Sequence, residues 1–142
     1  MQNGLYIVAT PIGNLGDLSP RAVETLANAD VIACEDTRIA KKLFALLNIS
    51  TAGKKFIVYQ NYNEEDEAQN IINLAVNDGK SIALVSDAGS PLISDPGYRL
   101  VRKAREQNVF VTVLPGCCAL VCALQLSGLP TNRFLFSGFI PN

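Results

Sequence analysis

Histidine is absent from this 142-residue chain. That removes Ser-His and Cys-His nucleophile pairs, an imidazole general base and any histidine-ligated metal. Cysteine is scarce, and Cys34, Cys117, Cys118 and Cys122 never form the paired Cys-x-x-Cys spacing of a zinc site. They read as small core residues in a reducing compartment, Cys117 and Cys118 excepted. No apolar run approaches the ~20 residues of a membrane span, and no signal peptide opens the chain, so the expected setting is the cytoplasm. Charge is also sparse, at 18% of residues with a formal net of −1. This argues against a protein that holds nucleic acid by bulk electrostatics alone, and RNA contact would need a local basic patch, a further part of the protein or a partner subunit. Neither G-x-G-x-x-G nor G-x-x-x-x-G-K-[ST] occurs, which disfavours a dinucleotide or a nucleoside triphosphate.

What is present is apolar sequence, at 49% of residues, in alternating periodicities. Leu5 to Ala9 and Val31 to Cys34 read as buried strands, and Phe56 to Tyr59, Ser81 to Val85 and Val109 to Leu114 as further strands apolar on both faces, with Phe134 to Phe136 as a candidate sixth. Between them lie helical patterns. One follows Ser19-Pro20 with an Ala22/Val23/Leu26 stripe, and another runs from Thr37 to Leu47. A third spans Asn63 to Asn77, acidic in its first turns; a fourth is capped at Asp95-Pro96 and runs to about Gln107. The fifth runs from Cys117 to Leu126 and stops at Gly128. The expected fold is α/β: a mostly parallel sheet of five to six strands with helices on both faces, forming a single lobe over residues 1–142.

In such sheets ligands bind beyond the carboxyl ends of the strands. Three Gly- and Pro-containing loops fall there: Thr10 to Asp17, Ser86 to Gly97, and Pro115 to Ala119. After the second strand comes Glu35-Asp36-Thr37-Arg38, followed by Lys41 and Lys42. By composition alone this segment is a helix start, with Asp36 or Thr37 as cap and the cations as solvated surface. Its place on the same rim keeps a functional role open.

These blocks resemble a known family. Leu5-Tyr6-Ile7-Val8-Ala9-Thr10-Pro11-Ile12-Gly13-Asn14-Leu15-Gly16-Asp17, Ala33 to Arg38, Leu84 to Pro91 with Asp95-Pro96-Gly97, and Leu114-Pro115-Gly116 occur in one order over essentially the whole chain. Gly128-Leu129-Pro130 and Gly138 to Pro141 extend the match. Together they resemble the small-subunit ribosomal RNA 2′-O-methyltransferases of the tetrapyrrole-methylase superfamily. The tetrapyrrole C-methylases tend to open with Gly-Pro-Gly, whereas this chain has Thr-Pro-Ile-Gly-Asn and carries the Glu-Asp-Thr-Arg block of the RNA branch. Cys117-Cys118 stands where the family usually shows Pro-Ser, which removes a hydroxyl from that loop.

The resemblance implies an S-adenosylmethionine-dependent methyltransferase acting on a ribose 2′-oxygen of a cytidine in small-subunit ribosomal RNA. A tetrapyrrole C-methyltransferase and a non-catalytic ligand- or RNA-binding module are the alternatives. It implies that Pro11, Ile12, Gly13, Gly89, Ser90, Ile93, Gly116, Cys118 and Ala119 line the cofactor pocket, with Asp87 buttressing the loop. With no histidine present, the base candidates are Glu35, Asp36 and Asp87, or a group in the carboxy-terminal lobe; Glu35 and Asp36 are preferred, with Arg38 positioning phosphate and Lys41 and Lys42 adding RNA contacts. No metal is expected. Partners are the ribosomal RNA, a second copy of the chain, and a carboxy-terminal lobe that completes the pocket; the strand-like run closing at Phe139-Ile140-Pro141-Asn142 reads as a linker toward that lobe.

Overall fold

The computed structural model describes residues 1–142 as one layered α/β unit. Five strands, β1 (Gly4–Val8), β2 (Val31–Cys34), β3 (Lys55–Val58), β4 (Ser81–Leu84) and β5 (Val111–Leu114), form a single sheet in the order β3-β2-β4-β1-β5. Every neighbouring pair is parallel. The helices are α1 (Pro20–Asn28), α2 (Thr37–Leu46), α3 (Glu64–Val76), α4 (Tyr98–Glu106) and α5 (Ala119–Leu126).

Side chains on a strand alternate between faces, so a strand that is apolar throughout must be covered on both. In β2 and β4 that alternation divides the core. Ile32, Cys34, Ala83 and Val85 pack with Ala22 and Leu26 of α1 and Ala40 and Phe44 of α2. Val31, Ala33, Ile82 and Leu84 pack with Ala68, Ile71, Ile72 and Ala75 of α3 and Leu100 and Ala104 of α4. The Ser19 hydroxyl accepts from the Ala22 N–H at 3.1 Å ahead of Pro20, so α1 opens as its sequence signals. No helix is long and apolar enough to cross a membrane.

Four expectations need correction. Phe134 to Phe136 form no strand, and the sheet stops at β5. Helix α4 begins at Tyr98 rather than at Asp95-Pro96. Leu92 and Ser94 hold φ of +74° and +57°, so the chain before it is a tight irregular loop, and Gly97 occupies the cap position at φ +139°. A side chain there would collide with Leu92, 2.7 Å away. Helix α5 starts at Ala119, two residues later than the sequence suggests. Finally, of the cysteines only Cys34 is buried; Cys122 is exposed, because α5 buries none of its residues against the sheet.

The strand order explains where a site can form. The chain moves outward from β1 through β2 to β3, then returns to insert β4 between β2 and β1, and finally places β5 on the far side of β1. Loops leaving β1 and β4 therefore diverge from adjacent strands, the arrangement that opens a crevice at the carboxyl rim.

Candidate functional site

The three rim loops are tied to one another. Thr10 and Gly89 form an isolated antiparallel bridge, with N···O distances of 2.9 and 3.1 Å. The Thr10 hydroxyl donates to the Ser86 carbonyl, and the Ser90 hydroxyl donates to the Cys117 carbonyl at 2.8 Å. Gly116 packs on Ala9, where a Cβ would come within 3.0 Å of the alanine methyl. These bonds link the Thr10 loop to the Ser86–Ser90 loop, and that loop to Cys117, each ending on a backbone carbonyl.

Two clefts open on either side of the Thr10–Gly89 bridge. The first, of about 320 Å³, is lined by Ile12, Gly89, Ser90, Ile93, Cys118 and Ala119. It also takes in Ala88, Ser94, Asp95 and Leu120, with Phe136, Gly138 and Phe139 from the last segment of the chain. The second, of about 370 Å³, lies between the β1 loop and α2, and it receives Pro11, Gly13, Asp87 and Lys42 beside Thr10, Asn14, Leu15, Ile39 and Leu43. The residues expected in one pocket are thus divided between two adjoining ones, and Gly116 lines neither. Sequence reasoning missed Asp95, Phe136 and Phe139. Asp95 was legible only as a helix cap, and the two aromatic residues only as a strand and a linker.

Helix α5 directs its amino terminus at the first cleft. Its cap residue, Cys118, is extended, but its thiol makes no capping bond, so the first N–H groups lack a side-chain partner. The position thus has cap geometry without a cap oxygen.

Carboxylates gather behind the bridge. Glu35 Oε1 accepts from the Asp87 N–H at 3.2 Å. Burial pushes the Glu35 carboxyl above the usual range; the Asp87 N–H opposes this, and Asp95 and Asp87 add repulsion. Asp87 is likewise raised, first by burial and then by Asp36. Asp36 behaves differently. Its Oδ1 caps α2 by accepting from the Arg38 N–H at 2.9 Å, and both its oxygens bind the Arg38 guanidinium, at 3.1 and 2.7 Å. Those bonds hold its pKa at about 2. Arg38 itself projects into solvent. Lys41 sits over the Phe56 ring, 5.2 Å from its centroid, while Lys42 faces the second cleft. Burial, reinforced by Asp87, lifts the Cys34 thiol to about 12, which makes it inert as a nucleophile at neutral pH.

Residues 4–140 match the family of Tetrapyrrole (Corrin/Porphyrin) Methylases. The chain belongs to this family. Within it, the chain is 50% identical over 141 residues to the Ribosomal RNA small subunit methyltransferase I of Rickettsia prowazekii, covering 99% of this chain and 49% of that protein. It is 54% identical over 137 residues to the protein of the same name from Vibrio cholerae, covering 96% and 46%. The chain therefore spans about half the length of the curated relatives it matches. Among solved structures, the uroporphyrin-III-C-methyltransferase from Thermus thermophilus superposes with a TM-score of 0.66 at 23% identity, over 93% of this chain and 55% of that one. At that identity the likeness speaks for the tetrapyrrole-methylase fold alone.

Proposed function

We propose that this chain is the donor-binding lobe of an S-adenosylmethionine-dependent methyltransferase that modifies a ribose 2′-oxygen, that of a cytidine, in small-subunit ribosomal RNA. The observation that carries the reading is the pair of bridged clefts, built from the same ordered blocks that tie the chain to the rRNA methyltransferases named above. The first cleft suits the donor. Ile12, Ile93 and Phe136 offer apolar walls for a purine, and Gly89 and Ser90 bring backbone close to a ligand. The free N–H groups at the start of α5 suit a carboxylate. S-adenosylmethionine supplies an electrophilic methyl group on a sulfonium, and what it needs from the protein is alignment with the acceptor.

A ribose hydroxyl is a weak nucleophile until its proton is drawn away. Of the two preferred carboxylates, Glu35 is the better base: it is partly desolvated and raised toward the working pH, and one oxygen remains free after the bond to Asp87. Asp36 is committed to capping α2 and to Arg38, so its role is to orient the guanidinium toward phosphate. Lys42, which lines the second cleft, and the solvent-exposed Arg38 supply the RNA-backbone contacts. A carboxy-terminal lobe and a second copy of the chain complete the enzyme in the cytoplasm. The relatives' double length supports the further lobe, and the exposed apolar side chains Val113, Leu126, Leu129 and Phe139 suit a covered surface.

The test is methylation of small ribosomal subunits by the full-length protein with labelled S-adenosylmethionine, followed by mapping of the label. Label on a ribose 2′-oxygen is expected. Donor binding without RNA label refutes the acceptor assignment and moves it to a small molecule such as a tetrapyrrole.

A further inference from the structure

The first cleft is almost without charge. Among the residues that line it, which include Ile12, Ala88, Gly89, Ser90 and Cys118, Asp95 is the one carboxylate, and no lysine or arginine joins it. Its carboxylate is half-buried and takes part in no hydrogen bond or ion pair within the chain. Leu92 and Ser94 on one side, and Gly97 on the other, hold left-handed backbone, so the loop's path around Asp95 is tightly specified. A carboxylate drawn partly out of water into an apolar cleft, with no internal partner, is an unfavourable arrangement unless a ligand brings the opposite charge. The donor assigned to this cleft carries two cationic centres. Its α-ammonium is accompanied by the ligand's own carboxylate, two bonds away, and so gains little from a further anion. Its sulfonium has no internal counter-charge.

We propose that Asp95 is the counter-charge to the donor's sulfonium, and that it makes the cleft prefer the charged donor over its neutral thioether product. This rests on the donor-cleft reading above. The preference has a direct consequence for turnover. Methyl transfer removes the positive charge, so the attraction that holds the donor vanishes as the product forms, and product leaves a cleft that no longer attracts it.

Burial, followed by repulsion from Asp87, already raises the Asp95 carboxyl above its usual range. A bound cation would reverse that shift.

Three adenosine thioethers and sulfoniums separate the contributions by calorimetry on the full-length protein. S-adenosylmethionine carries sulfonium and ammonium, S-adenosylhomocysteine carries the ammonium without the sulfonium, and methylthioadenosine carries neither. For Asp95→Asn we expect a fall of about tenfold in affinity for S-adenosylmethionine, equivalent to ~1.4 kcal/mol, with the other two unchanged. Asp95→Glu, which keeps the charge, should restore most of the preference. An equal loss for all three ligands, or a loss shared by S-adenosylhomocysteine, overturns the sulfonium assignment, as does no loss at all. A wild-type protein that binds none of the three refutes the donor-cleft reading itself and this inference with it.

Discussion

Replacing Glu64 by alanine should loosen the loop that shapes the first cleft, although Glu64 lines neither cleft. Helix α4 has glycine at its cap and no side-chain bond of its own there. Its cap is borrowed from α3. Glu64, 7% exposed, extends Oε1 to the N–H groups of Gly97 and Arg99, at 3.2 and 2.8 Å. A carboxylate at a helix amino terminus is favoured by the dipole as well as by hydrogen bonding. The Gly97 N–H is buried, so water cannot replace the lost acceptor. A hydrogen bond to a charged group contributes about 1.5–3 kcal/mol, and a buried orphaned donor carries a similar penalty. Since both bonds end on one oxygen, Glu64→Ala should destabilise by about 3 kcal/mol and not by a sum of two full terms. Glu64→Gln keeps an acceptor without the charge and should cost about half as much. Urea unfolding followed by circular dichroism reads both, with the slope checked for constancy. A loss below about 1 kcal/mol for Glu64→Ala would refute the borrowed cap.

Three further outcomes are expected. Cys118→Ser supplies the missing cap oxygen at α5 and should stabilise by about 1 kcal/mol in thermal unfolding; an unchanged midpoint would show that the cap geometry is not used. Glu35 must be deprotonated to act as base and its carboxyl is raised, so methylation rate should fall as pH drops through that raised value, and Glu35→Gln should abolish turnover; normal turnover by the variant removes Glu35 from the reaction. Lys42→Ala should reduce the salt slope of RNA binding by about one, whereas Lys41→Ala, whose ammonium lies over Phe56, should leave it unchanged; equal effects would place both on the RNA.

The sheet was legible because burial on both faces leaves a plain signature. Val31-Ile32-Ala33-Cys34 has no polar position, and each of its side chains does reach one of the two core halves. The same rule misread Phe134 to Phe136. Those residues are apolar yet exposed, so their pattern answers to something other than this lobe's core. The start of α4 was missed for a different reason. Asp95-Pro96 has the local chemistry of a cap, but the cap in use comes from Glu64, more than thirty residues upstream, and no local pattern encodes it.

The candidate site shows the same division between local and distant causes. That three loops share a rim follows from the alternation of strands and helices, and so the convergence of Thr10, Gly89 and Cys117 was foreseeable. How the rim is partitioned was not. The Thr10–Gly89 bridge is a backbone contact across adjacent strands, and it divides Pro11 from Ile12, neighbours in sequence, into separate clefts. Charge placement was equally hidden. In sequence, Asp36 and Asp95 are alike, each an acid before a helical pattern. In the fold one is saturated by a guanidinium and held at about 2, while the other is left unpaired in an apolar cleft. An acid that already has its partner can do little for a ligand. The unpaired one is where recognition of a cation has free energy to gain.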